Sequence, residues 1–285
     1  MSQSTQDIRR RIQGIGSIMQ ITNAMELVAS AKLRKSRQRL EGTKPYFDIV
    51  YNNINSILGI SNTQSELMIE REVKNRAIIV VASDKGLAGG YNINITNKVL
   101  KNIKENEDAV NHVYTTGIRS VETLRRRGVE VNTDFTYIGD EPNMDDAASI
   151  GSYFVSKFLN EDFDEVYIVY TKFNSVVSLE TEAIKLLPVS GFKKSEKYKK
   201  IDFEFEPSPT VVLTQMIKQY VNVTLFGCLL EGITSEHASR RTAMENANDN
   251  GEELLDELKL EYNRARQASI TQEISEIVGG AEALN

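Results

Sequence analysis

Apolar residues recur near the start of the chain at helical intervals. Ile8, Ile12, Ile15 and Met19 step 4, 3, 4, and a second stripe, Ile18, Ile21, Met25 and Val28, steps 3, 4, 3. Alternating threes and fours form the seam of a coiled coil. The helical pattern continues through "LRKSRQRLEG" and, beyond Pro45, through "YFDIVYNNINSIL", so one helix is expected over residues 1–57. A second is expected over 208–285, with Ser208 as N-cap and Pro209 at the first helical position, where a missing N–H costs nothing. Its apolar positions are Val223, Phe226, Leu230, Ile233 and His237, then Leu255, Leu258, Tyr262 and Ala265. Gly227, Gly232 and Gly251 each weaken a helix by about 1 kcal/mol relative to Ala and are candidate bends within it. The five prolines, at 45, 142, 188, 207 and 209, leave 1–44 and 210–285 free of helix breakers.

Between the helices the pattern changes to short runs that alternate with further helical segments. "RAIIVVASDKGLAGGYN", "AVNHVYTTG", "GVEVNTDFTYIG", "DEVYIVYTKFN" and "SLETEAIKLLPV" are β-branched and aromatic runs bounded by turn residues, and they read as strands. "NITNKVLKNIKEN", "IRSVETLRRR" and "DDAASIGSYFVSKFLNE" keep helical periodicity, which makes residues 76–190 an α/β unit with a mainly parallel sheet. "FKKSEKYKKIDFEFEPS" connects it to the last helix and is strand-like at "IDFEFE".

At about 1.5 Å per residue the terminal helices are roughly 80 and 110 Å long. Packed antiparallel from a common level, Ser208 near residue 57, they place residue 261 near Ser4. The last twenty or so residues then overhang. Their stripe of Ile270, Ile274, Ile277, Val278 and Ala281 needs a cover from another chain.

Composition narrows the chemistry. With 285 residues, 40% hydrophobic and 26% charged, the chain is ordinary globular material. A net charge of -6 argues against a nucleic-acid binder, and no apolar run is long enough to insert in a bilayer. One cysteine, Cys228, and two distant histidines, His112 and His237, make a zinc site untenable, and His237 occupies a seam position, where a packing role is expected. No catalytic residue, metal site or cofactor is expected. "SDKGLAGGYN" follows a buried strand but matches neither glycine-rich phosphate motif; it reads as a tight turn close-packed at Gly89 and Gly90, with a ligand loop as the alternative. "AKLRKSRQR" sets Lys32, Arg34, Lys35, Arg37 and Arg39 on one helical stretch, either a solvated face or a partner surface. Residues 1–50 carry a net charge of about +5 and 245–285 about -7, which favours antiparallel register.

Four blocks together resemble the gamma-subunit family of rotary F-type ATP synthases: "ITNAMELVASAKLRKS", "SDKGLAGGYNIN", "SEHASRRTAMENANDN" and "ARQASITQEISEIVGGA". The last fits the family's signature through Ile270, Thr271, Glu273, Glu276, Gly280 and Ala281. Arg241 departs from the pattern, since relatives commonly carry Met there, and the single cysteine excludes the dithiol switch of the photosynthetic branch. The resemblance implies a long antiparallel coiled coil of N- and C-terminal helices plus a Rossmann-like α/β domain. It implies a non-catalytic rotor shaft, peripheral at the cytoplasmic face of the cell membrane. The partners would be three alpha and three beta subunits, the epsilon subunit and the membrane c-ring. Met25, Lys32, Arg240, Arg266, Gln267, Thr271, Glu273 and Glu276 would meet the alpha/beta ring, and Phe203 and Glu204 would lie near the membrane ring. The competing readings are a nucleotide-binding α/β enzyme and a coiled-coil adaptor.

Overall fold

The structure, a computed structural model, describes residues 5–60, 63–192 and 204–282. Helix α1 spans Thr5–Ile60 and helix α5 spans Pro209–Glu282. Pro45 lies inside α1 at an exposed position, and the helix continues through it despite the backbone N–H that proline lacks. Ser208 caps α5 as expected, its hydroxyl accepting from the Val211 N–H at 3.4 Å. The chain divides into two compact units: Met1–Ala29 with Arg240–Asn285, and Ser30–Ser239.

Within the larger unit five strands form one sheet: β1 Asn75–Val80, β2 Val110–Thr115, β3 Val131–Asn132, β4 Glu165–Ser175 and β5 Ser178–Leu187. Their order is β3-β2-β1-β4-β5; the first four are parallel and β5 returns antiparallel on β4. Central β1 is buried along "RAIIV", the continuous apolar run of a strand covered on both faces. On one face α2 (Tyr91–Lys104) and α3 (Arg119–Arg126) pack Ile95, Val99 and Leu124 against Ile78 and Val80. On the other, α4 (Met144–Leu159) brings Ile150 and Phe154 onto Ile79 and Ile168, together with Ile54 of α1 and Leu213 and Ile217 of α5. Asn143 starts α4 with a reciprocal capping box to Asp146, which fixes where the helix begins.

Two expected strands change. "GVEVNTDFTYIG" pairs only at Val131–Asn132, because the Asn132 side chain accepts from the Asp134 N–H at 2.8 Å and turns the chain away from the sheet. Of "IDFEFE", Ile201, Asp202 and Phe203 lie outside the described residues, and Glu204–Glu206 form no strand. Helix α5 runs through all three glycines without a break, and two of them mark close approaches. A Cβ at Gly232 would lie 2.5 Å from Cγ1 of Val81, and one at Gly251 would lie 2.8 Å from Cγ of Met19.

Candidate functional site

In the smaller unit α1 and α5 pack along one heptad stripe each. Ile8, Ile12, Ile15, Met19, Thr22, Glu26 and Ala29 are buried or half-buried on α1, as are Met244, Asn248, Gly251, Leu255, Leu258, Tyr262 and Ala265 on α5. Met19 faces Gly251, while buried Asn248 hydrogen-bonds Thr22 and donates to Glu26 Oε2 at 2.9 Å. The helices are therefore antiparallel. A polar residue satisfied by two partners on the facing helix pins one register, since a slip would leave it unpaired. Met19 opposite Gly251 and Thr22 opposite Asn248 correct the expected register by about five residues: Thr5 falls opposite about Ala265, instead of Ser4 opposite residue 261.

The second stripe of α1 is no part of that seam. Ile18, Ile21 and Val28 are 60%, 61% and 56% exposed, and Met25 is half-buried. Two helices in contact bury one stripe of each, so this stripe faces outward. On α5 every residue from Arg266 to Gly279 is exposed. Arg266, Gln267, Thr271, Glu273 and Glu276 stand there beside the apolar Ile270, Ile274, Ile277 and Val278. The polar side bonds along its own helix, Gln272 donating to Glu276 Oε1 at 2.9 Å, and the apolar side has no cover among the described residues. Arg240 is buried. Arg241 Nε is out of solvent with no hydrogen-bond partner, a cost that the Met expected there would not carry.

In the larger unit the basic stretch of α1 meets acid from the segment that leads into α4. Lys32 Nζ lies 2.6 Å from Asp140 Oδ2, Lys35 Nζ lies 2.7 Å from Glu141 Oε1, and Arg39 donates to the Pro142 carbonyl. Lys85, from the glycine-rich loop, reaches the same Asp140 oxygen at 2.6 Å. Burial alone would raise the Asp140 carboxyl, but the hydrogen bonds and charges of Lys32 and Lys85 outweigh it and hold it at about 2. His237 is buried beside this cluster, in a packing position.

The glycine-rich loop closes on itself. Ser83 Oγ donates to the Lys85 carbonyl at 2.8 Å, Asn92 Nδ2 donates to Ser83 Oγ at 2.7 Å, and Asp84 accepts from the Ile118 N–H at 3.0 Å. From α5, Ser239 donates to the Ala88 carbonyl at 2.7 Å, and Tyr91 donates to the Gly232 carbonyl at 2.9 Å. Gly89 and Gly90 are exposed rather than close-packed; Gly89 is needed for its φ of 52°. The crowded glycine is Gly117, where a Cβ would lie 2.2 Å from the Ala82 carbonyl oxygen. Among the described residues no cluster of metal-binding side chains occurs, and no helix is long and apolar enough to cross a membrane.

Long terminal helices and an α/β sheet are also what similarity to known proteins picks out. A sequence profile described as ATP synthase matches residues 4–284. A chain of Acetobacterium woodii named "ATP synthase gamma chain, sodium ion specific" is 44% identical over 304 residues, with 100% of both chains covered. The chain belongs to the ATP synthase gamma-chain family. Among solved structures, a chain from the Tetrahymena thermophila mitochondrial ATP synthase central stalk and c-ring is 23% identical. It covers 80% of this chain and 99% of its own, with a TM-score of 0.59. A chain from the Euglena gracilis mitochondrial ATP synthase, 16% identical over 98% and 94% of the two chains, has a TM-score of 0.71. At those identities the likeness is one of fold: the gamma-chain family's α/β base and terminal helices are those described above.

Of the contact residues expected for a gamma chain, the smaller unit carries Met25 on the outer side of α1, five on the exposed tail, and Arg240, which is buried. Lys32 is engaged by Asp140, Glu204 is exposed, and Phe203 lies outside the described residues. Asp140 was not legible as a functional position, because its role depends on two lysines that lie far away in sequence.

Proposed function

We propose that this chain is the central rotor shaft of an F-type ATP synthase. As a non-catalytic subunit, it couples ion flow through the membrane c-ring to ATP synthesis or hydrolysis in a ring of three alpha and three beta subunits. The observation that carries the proposal is the antiparallel pair whose α5 runs on, bare, beyond Ala265. Ile270, Ile274, Ile277 and Val278 need a sleeve. An apolar contact is non-directional, so a sleeve can hold the tail without fixing one angle as a set of hydrogen bonds would. An asymmetric shaft inside three equivalent catalytic sites touches each differently, which makes nucleotide affinity at each site depend on shaft angle.

In this reading Met25, Lys32, Arg240, Arg266, Gln267, Thr271, Glu273 and Glu276 face the alpha/beta ring. Phe203 and Glu204 lie toward the membrane ring, and the epsilon subunit docks on the α/β base. Segments 1–57 and 208–285 serve as the shaft and 76–190 as the base, at the cytoplasmic face of the membrane and peripheral to it. Co-purification with alpha and beta subunits tests this. A complex whose ATP hydrolysis depends on the chain is expected; failure to assemble, or hydrolysis indifferent to the chain, overturns it.

A further inference from the structure

In an open α/β sheet the ligand crevice lies beyond the carboxyl ends of two neighbouring strands from which the chain leaves in opposite directions. Here those strands are β1, which leads to β2 on one side, and β4, which leads to β5 on the other. Their last pair is Val80 with Val169. Beyond that pair the crevice is filled by α5. Gly232 is seated against the chain leaving β1: a Cβ there would lie 2.5 Å from Cγ1 of Val81 and 3.3 Å from the Tyr91 hydroxyl.

Hydrogen bonds surround that contact. Tyr91, at the start of α2, donates to the Gly232 carbonyl at 2.9 Å, and Ser235 donates to the Thr171 carbonyl of β4 at 2.9 Å. Ser239 donates to the Ala88 carbonyl of the glycine-rich loop at 2.7 Å, and the Phe173 backbone N–H donates to the Glu231 carboxylate. Gly232, Ser235 and Ser239 step 3 and 4, so they share one face of α5. His237, on the opposite face, borders a small cleft with Lys32, Ser36 and Arg39 of α1.

Nearer its start α5 is held differently. Leu213, Ile217, Val221 and Leu225 lie in the apolar core, and such contact is non-directional. Hydrogen bonds weaken steeply with angle. Turning α5 by one residue, about 100°, would also drive Glu231 or Ile233 into the place of Gly232 against Val81.

We propose that the crevice is a keyed socket for α5, in which Tyr91, Ser235 and Ser239 are positioning residues that carry torque between the α/β base and the last helix. This rests on the rotor reading above. The place that a nucleotide takes in other open α/β sheets is taken here by a helix of the same chain.

The test is torsional stiffness in the complex held by its alpha and beta subunits, with a probe attached through Val177→Cys at the exposed β4–β5 tip. Stiffness is read from the angular spread of the probe at each dwell. Tyr91→Phe, Ser235→Ala and Ser239→Ala together should lower it about twofold or more, because the bonds that resist turning are lost. Thr234→Val is the matched control: Thr234 is fully buried like Ser235, but its hydroxyl donates to the Leu230 carbonyl within α5 itself. It should leave the stiffness unchanged. Undiminished stiffness in the triple variant, or equal softening by Thr234→Val, overturns the proposal and leaves the rotor reading standing. Should the triple variant fail to assemble, Ser239→Ala alone decides by the same measure. A probe on the unmutated socket that stays still while the complex hydrolyses ATP overturns the rotor reading, and the torque role with it.

Discussion

Asp140 joins two elements by accepting from Lys32 of α1 and Lys85 of the glycine-rich loop. Its carboxyl is depressed from 3.8 to about 2, so the stabilisation is complete above pH 4 and is lost as pH falls through 2. With solvent screening allowed for, Asp140→Asn should cost about 1 kcal/mol at neutral pH in a denaturant melt and nothing below pH 2. Gly251 shows what single residues hide from a sequence reading. As a helix weakener it reads as a bend, yet it is where Met19 fits against α5. Gly251→Leu would overpack that seam and should lower stability by about 1–3 kcal/mol in spite of its better helix propensity. Close approach is a property of two chain segments, so the role of Gly251 could not be read from its own neighbours in sequence.

The elements were legible where period and length agreed. The 4-3-4 stripe from Ile8 to Met19 is the seam, and the Leu255–Ala265 stripe is its partner. Ile18, Ile21 and Val28 have equally good spacing and are exposed, because periodicity shows that a face is apolar without saying which neighbour covers it. The run "GVEVNTDFTYIG" keeps strand pairing only at Val131–Asn132, since Asn132 spends its side chain on a turn. The α5 tail was legible as an overhang, though its starting point moved by several residues once Asn248 set the register. Truncation after Ala265 should leave the thermal melt of the α/β base unchanged and remove helical circular dichroism in proportion to the residues lost. In a reconstituted complex it should reduce coupling of rotation to hydrolysis; unchanged coupling would rule out a bearing role for Ile270, Ile274, Ile277 and Val278.

At the scale of the molecule, composition argued against a nucleic-acid binder and a zinc site but could not name a function. The sequence blocks at both ends pointed to the gamma-chain family, and the 44% identity to a gamma chain over the whole of both chains places the chain in it. The central claim is that the chain turns as a body inside a ring of other subunits. Single-molecule rotation tests it most directly, with a probe fixed to the exposed β4–β5 tip at Val177 and the complex held by its alpha and beta subunits. ATP-driven turning in one direction is expected, with three dwells per revolution, one for each catalytic site. Steady ATP hydrolysis by the assembled complex while the probe stays still would contradict it.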